Sequence, residues 1–257
     1  MKSIAEQVAT RYIGAGRYFR GEYKKDGLAA IVLLGKKFPF YKNVVYKFYQ
    51  PRKFQRYFLT DDQFGKFLEG TILDVGSRED TMKSVLKRNA VLVDKNNPNL
   101  LPFDWEKADL PFPANSFDTV VCLDTLEHIN DLHRSFYDLL RVSKHYVIIS
   151  LPNPWRKTFK RMLGGTWDKG DYGLPPEKPF DRHKWFFNTE DIEYFIFYNS
   201  VTSPYPYEIR ELRYHIPVTV RKHRIMYPLA RLILPERYIK NLFVNTFFFV
   251  IEKKNGK

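Results

Sequence analysis

The chain has 257 residues with 44% hydrophobic content, enough for a sizeable core and for one large domain or a domain with extensions. Its net charge of +13 favours anionic partners, whether nucleic acid, phosphorylated substrates or an acidic membrane surface. The single cysteine, Cys122, excludes an internal disulfide and suits a reducing cytoplasm.

Residues 1–65 read as a basic, aromatic-rich N-terminal extension. Between Met1 and Thr60 there are 13 Lys+Arg against 3 Asp+Glu. Amphipathic patterning predicts helices at Ser3–Tyr12 and Tyr41–Tyr49, and Thr60-Asp61-Asp62 offers an N-cap for a helix over Gln63–Leu68. The aromatics either pack on the core or stack on bases. No signal-peptide pattern opens the sequence. The apolar runs Leu28–Leu34 and Phe247–Ile251 are far short of the ~20 residues that a membrane helix needs.

From Thr71 the pattern becomes regular and mildly acidic. Ile72, Leu73 and Val75 form a short apolar run followed at once by Gly76, which permits a tight turn; Glu79 and Asp80 suit a first helical turn. Strands are expected at Thr71–Val75, Ala90–Asp94, around Leu100–Phe103, at Thr119–Leu123 and at Tyr146–Ser150, with helices at Glu79–Arg88 and Asp131–Val142. That alternation predicts an α/β fold: a Rossmann-like, doubly wound, mostly parallel seven-stranded sheet with helices on both faces.

Residues 66–257 form the main domain of this reading. The Pro/Gly-rich stretch from 154, extending to about 187, reads as an inserted loop or lid. Asn188-Thr189-Glu190-Asp191 opens a helix, and 207–217 reads as a strand. Residues 221–242 form a basic and apolar helical insertion, either packed on the sheet or facing anionic lipid. Phe243–Ile251 is the last strand.

Asp94 ends a strand 20 positions after Asp74, where an acid hydrogen-bonds ribose hydroxyls in a βαβ nucleotide site. Asp104 follows the next strand and can accept from an adenine amine, with the Trp105 N–H beside it and the indole over the purine. Leu110-Pro111-Phe112, Phe117-Asp118, Leu126-Glu127-His128 and Arg141-Val142 follow.

This series, spread over residues 70–154, resembles the class I S-adenosylmethionine-dependent methyltransferases, nearest the type 11-like small-molecule group. The resemblance implies S-adenosylmethionine as cofactor. It implies that Asp74 and Gly76 line its methionine part, Asp94 takes the ribose, and Asp104 and Trp105 take the adenine. Leu123 and Asp124 would lie beneath the methionine end, and His128 near the acceptor mouth. The family's further glycines are replaced by Ser77-Arg78-Glu79-Asp80. The cofactor lacks a pyrophosphate, so less bare backbone is required, and Arg78 either pairs with the cofactor carboxylate or obstructs the pocket.

Methyl transfer needs positioning and sometimes a base. His128 and His183, the latter in Asp181-Arg182-His183-Lys184-Trp185-Phe186, are the candidates; either could equally be a structural hydrogen-bonding residue. No metal is expected, since His128 and His133 share no helix face. The expected activity is methyl transfer to an O or N atom of a small-molecule, sugar or lipid-linked acceptor. The chain is expected in the cytoplasm, with the inner membrane surface as a peripheral site. The alternatives are an RNA methyltransferase and a non-catalytic module binding through its basic surface.

Overall fold

The computed structural model describes residues 24–166, 171–179, 181–217 and 221–254, with side chains described throughout except at 221–224. The helix expected at Ser3–Tyr12, the pair Tyr18-Phe19 and the side chain of Arg224 lie outside these.

The strands are β1 (Val44–Val45), β2 (Ile72–Val75), β3 (Ala90–Asp94), β4 (Leu101–Pro102), β5 (Phe117–Leu123), β6 (Ser143–Pro152), β7 (Tyr207–His215) and β8 (Thr246–Lys253). They form one sheet in the order β1-β7-β8-β6-β5-β2-β3-β4. Only β8 runs antiparallel to its neighbours, β6 and β7. Seven of the eight strands match the anticipated sheet. The eighth is β1, an edge strand from the N-terminal segment that pairs in parallel with β7.

The helices are α1 (Lys25–Lys37), α2 (Gln55–Phe64), α3 (Thr81–Ser84), α4 (Leu132–Val142), α5 (Pro154–Leu163), α6 (Thr189–Thr202), α7 (Arg221–Ile233) and α8 (Glu236–Phe243). β2, β3, β5 and most of β8 are largely apolar, β7 alternates apolar with charged residues, and period two divides the strands between the faces. Leu73, Val75, Val120, Cys122, Val147, Ile149, Phe247 and Phe249 pack towards Phe136 and Leu139 of α4 and Ile192 and Ile196 of α6. Ile72, Leu92, Val121, Ile148, Phe248 and Val250 pack towards Tyr57, Leu59 and Phe64 of α2 and Met82 of α3. Helices therefore cover both faces. Helix α6 begins with a full capping box between Asn188 and Asp191. Helix α1 lies so close to α6 that a Cβ on Gly27 would sit 2.4 Å from the Tyr198 ring.

Several local expectations are corrected. Residues 41–49 form no α-helix; a 3-10 turn at Phe40–Asn43 runs into β1, where two β-branched valines suit an edge strand. Thr60-Asp61-Asp62 does not cap a helix but lies within α2. The Thr60 hydroxyl donates to the Arg56 carbonyl, Asp61 pairs with Arg88 and Asp62 with Lys47. The helix expected at 79–88 shrinks to α3, because Lys87 adopts a left-handed backbone (φ 57°) and Arg88 is drawn to Asp61 and the Leu68 carbonyl. The stretch after 153 is not all loop: Asn153 caps α5, with Pro154 at its start. Residues 221–242 make two helices, separated at Leu234-Pro235.

The N-terminal segment is tied to the sheet at His215. Its Nε2 lies 2.9 Å from the Lys47 carbonyl and 3.0 Å from Gln55 Nε2. Burial pushes this imidazole down to about 4. The unfolded chain therefore takes up a proton near pH 6.5 that the folded chain refuses until about 4, and stability is lost as pH falls through that window, by about 3 kcal/mol. Asp74 opposes this. Burial raises it to about 6 against the pull of Ser77, Tyr57 and Arg56, so its ionisation costs stability as pH rises from about 4 to 6. Thermal unfolding across this range separates the two: His215→Gln removes the acid loss, whereas Asp74→Asn steepens it.

Candidate active site

Strand β2 is flanked by β3 on one side and β5 on the other, so the chain reverses its direction of travel across the sheet there. Loops leaving the C-terminal ends of these parallel strands diverge at such a point and open a crevice. Here the crevice is a cleft of about 890 Å³. That falls near the upper end of the roughly 300–1,000 Å³ typical of ligand sites.

Its floor is the turn after β2. Gly76 has φ 75°, and a Cβ there would sit 2.3 Å from Thr125 Oγ1. Both facts demand glycine. The N–H groups of Gly76 and Ser77 donate to the Val93 carbonyl (2.9 and 3.3 Å), so the turn is folded back onto the end of β3. Arg78 is also left-handed, with φ 52°. Its N–H donates to Asp94 Oδ2 at 3.0 Å, while Asp94 Oδ1 accepts from the N–H groups of Asn96 (2.7 Å) and Asn97 (2.9 Å). Asp94 thus holds two loops together. A carboxylate has about four lone-pair sites, so one remains, on Oδ2. The Arg78 side chain is exposed at the rim, and its carbonyl accepts from Asn97 Nδ2.

Beyond β4, Asp104 also faces the cleft. Its Oδ1 accepts from the Glu106 N–H (3.1 Å), and Oδ2 pairs with Lys95 at 3.2 Å. The Trp105 indole, only 2% exposed, packs edge-on against Phe103 and donates from Nε1 to Asp138 at 3.0 Å.

The opposite end is built from β5, β6, α2 and the segment before α6. Asp124 adopts φ 49°; its N–H donates to Ser150, whose hydroxyl donates back to Asp124 Oδ1 at 2.6 Å. The Arg56 guanidinium, delivered by α2, lies 3.9 Å from Asp124 Oδ2. The next residue, Tyr57, donates its hydroxyl to Asp74 Oδ2 (3.1 Å) beneath the glycine turn.

Glu127 and His128 sit on a 3-10 turn after β5. Glu127 is wholly buried, and burial together with the charge of Asp124 holds its carboxyl well above the usual range. His128 Nδ1 lies 3.0 Å from Asp181, and the His128 and His183 rings meet edge to face at 4.7 Å. The Tyr172 hydroxyl lies 2.7 Å from His183 Nδ1. Burial, and then the neighbouring His128, keep His183 below its ordinary value, which favours its neutral, proton-accepting form.

A family model described as a methyltransferase domain matches residues 46–194, more than half of the chain. The chain belongs to the methyltransferase-domain family. No curated protein matches it. Among solved structures it is similar to a protein from Pyrococcus horikoshii OT3, at 12% identity and TM-score 0.49 over 85% of this chain and 99% of that one. It is also similar to a SAM-dependent methyltransferase from Archaeoglobus fulgidus, at 16% and 0.43 over 87% and 99%. A SAM-dependent methyltransferase from Methanosarcina mazei shares 15% identity, with TM-score 0.45 over 76% and 98%.

In this methyltransferase domain the cleft gathers Gly76, Arg78, Asp94, Asp104, Trp105, Asp124, His128 and His183, as the sequence suggested. Three expectations need correction. Asp74 is wholly buried under the turn, where it anchors Tyr57 instead of lining the cleft. Leu123 belongs to the core packed by α2 and α3. Trp105 lines the cleft, but its indole does not stand free over a purine site: Asp138 and Phe103 hold it in the interior, 2% exposed.

Sequence reading assigned no role to Arg56, Tyr57, Lys95, Glu127, Tyr172 or Asp181. Arg56 and Tyr57 lay in what read as an extension. Glu127 stood beside His128 in view, and its burial was the missing signal.

Proposed function

We propose that this chain transfers a methyl group from S-adenosylmethionine to an oxygen or nitrogen atom of a lipid-linked or amphiphilic acceptor, at an anionic membrane surface. The observation that supports cofactor binding is the cradle at Gly76, a turn that a single Cβ would fill and that Asp94 ties to β3. Asp94, through its remaining lone pair, would hold the ribose; Asp104 and the backbone beside it would hold the base; Gly76 and Asp124 would flank the methionine end. When bound, S-adenosylmethionine supplies an electrophilic methyl for in-line displacement.

The chain's own residues position and shield the acceptor. His128, fixed through Nδ1 by Asp181, presents Nε2 to the cleft, and His183 is fixed through Nδ1 by Tyr172. One of these two imidazoles would accept the proton that the acceptor loses as its new bond to the methyl carbon forms.

The acceptor class is read from the surface around α5, α7 and α8. Trp155, Phe159, Met162 and Leu163 are exposed at helical spacing on α5, Leu163 at 74%, with Lys160 and Arg161 on the same helix. Ile225, Met226, Leu229, Leu232 and Ile233 form a second exposed stripe on α7, Leu232 at 84%. Apolar side chains mixed with basic ones are the composition that anionic lipid attracts. Trp155 touches Phe186, which touches Tyr172 on the cleft wall, so this face borders the acceptor end. No helix among the described residues is long and apolar enough to cross a membrane. Cys122, buried and unpaired, suits the reducing side of such a membrane.

Flotation with vesicles of phosphatidylcholine, with and without phosphatidylglycerol, tests the surface. The protein is expected to float only with the anionic vesicles, and Leu163→Glu and Leu232→Glu each to weaken this about tenfold without changing Tm. Indifference to both vesicles, together with steeply salt-dependent RNA binding, would favour the RNA reading instead.

A further inference from the structure

We propose that Glu127, His128 and His183 bind one divalent transition-metal cation at the acceptor end of the cleft. One ligand atom from each residue can be chosen so that all lie within 4.8 Å of one another. Ligands about 2.1 Å from one ion in tetrahedral geometry lie ~3.4 Å apart, so the widest pair would close by ~1.4 Å on loading. That movement falls to the two half-buried imidazoles, turning about the hydrogen bonds that hold their Nδ1 atoms, and to the Glu127 side chain.

Three independent features point to a ligand here. First, Glu127 is 1% exposed and borders the cleft, and its Oε2 has no hydrogen-bond partner among the described residues. A buried carboxylate oxygen left bare is costly, and a cation is the ligand that would relieve it. Second, both histidines are held from behind. Asp181 takes His128 Nδ1 and Tyr172 takes His183 Nδ1, which leaves Nε2 of each ring to coordinate. An outer carboxylate or oxygen fixing the far nitrogen is how metal-ligating imidazoles are ordinarily oriented. His128 Nε2 already points towards Glu127, 3.9 Å from Oε1. Third, the rings stand at 83° to one another, so they converge from different directions and do not stack.

The neighbouring charge is balanced. Arg56 and Lys157 face the cluster, but Arg56 lies against Asp124 and Lys157 is paired with Asp171. Two imidazoles and one carboxylate suit Mn²⁺, Fe²⁺, Co²⁺ or Zn²⁺ better than Ca²⁺ or Mg²⁺, and leave positions open for an outside oxygen. The expectation of no metal considered His128 with its sequence neighbour His133; the fold instead brings His128 to His183, 55 positions away.

The cation site stands without the cofactor. Its use rests on the methyltransferase reading: an ion in this place would hold an acceptor hydroxyl and ease loss of its proton to water, and the two imidazoles would then serve as ligands instead of bases.

The test is titration of chelator-treated, tag-free protein with Co²⁺ and Mn²⁺, followed by visible absorption and electron paramagnetic resonance, with S-adenosylhomocysteine binding measured on the same samples. One equivalent of Co²⁺ is expected to give ligand-field bands. His183→Ala and Glu127→Gln should weaken uptake at least thirtyfold, while His145→Ala, at a half-buried histidine elsewhere, should bind as the parent does. Should Glu127→Gln fail to fold, His183→Ala carries the result. Absence of uptake, or unchanged uptake in a His128→Ala/His183→Ala double variant, overturns the site, even if S-adenosylhomocysteine still binds. Uptake without S-adenosylhomocysteine binding upholds the site and removes the methyltransferase reading.

Discussion

Replacing Gly76 with alanine is expected to weaken S-adenosylhomocysteine binding at least a hundredfold. Two costs add. The backbone at φ 75° is left-handed, which costs a non-glycine residue about 1–2 kcal/mol. The new methyl would also lie 2.3 Å from Thr125 Oγ1 and 2.5 Å from Cγ2, so either the turn or the segment after β5 must move. Because both border the cleft, movement of either spoils the cradle. Thr125→Ala in the same chain removes the hydroxyl and methyl contacts but leaves a Cβ at 2.9 Å. The double variant should therefore recover part of the affinity and remain below the parent. Calorimetric titration of the three proteins checks the order; equal affinities would show that the turn does not shape the site.

Asp94→Ala should be nearly as damaging, for a different reason. The substitution removes the acceptor from three N–H groups, those of Arg78, Asn96 and Asn97, at a position only 8% exposed. Bare donors that remain partly buried cost about 1–3 kcal/mol each, reduced wherever water reaches them. A loss of roughly 2–4 kcal/mol in stability is expected, with cofactor-product affinity falling about a hundredfold or more. Asp94→Asn separates the two effects. It retains an oxygen for Asn96 and Asn97 but sets an amide N–H₂ against the Arg78 N–H, donor against donor. That variant should fold with a smaller loss and bind about tenfold more weakly, as read by urea unfolding and calorimetry.

Much of this architecture was legible because buried parallel strands write themselves as dense apolar runs. Ile72–Val75, Ala90–Asp94 and Thr119–Leu123 could be read directly, and the carboxylates ending them followed by position. What failed were signals with two physical meanings. Thr60-Asp61-Asp62 has the composition of an N-cap, yet each side chain found another partner: the Arg56 carbonyl, Arg88 and Lys47. Helix α2 was therefore placed too late, and Arg56 and Tyr57, which it delivers to the cleft and to Asp74, went unnoticed. Trp105 followed the expected spacing, but spacing does not reveal which way an indole turns; Asp138, 33 residues on, decided that. The Glu127, His128 and His183 cluster was invisible in sequence because it depends on the chain returning across the cleft before α6.

The central claim is that the crevice at the ends of β2, β3 and β5 holds an adenosyl sulfonium. Calorimetric titration of the purified protein with S-adenosylhomocysteine tests it most directly. A saturable one-to-one isotherm that Asp94→Ala weakens a hundredfold is the predicted result. No heat of binding at millimolar ligand from protein that unfolds cooperatively would contradict it.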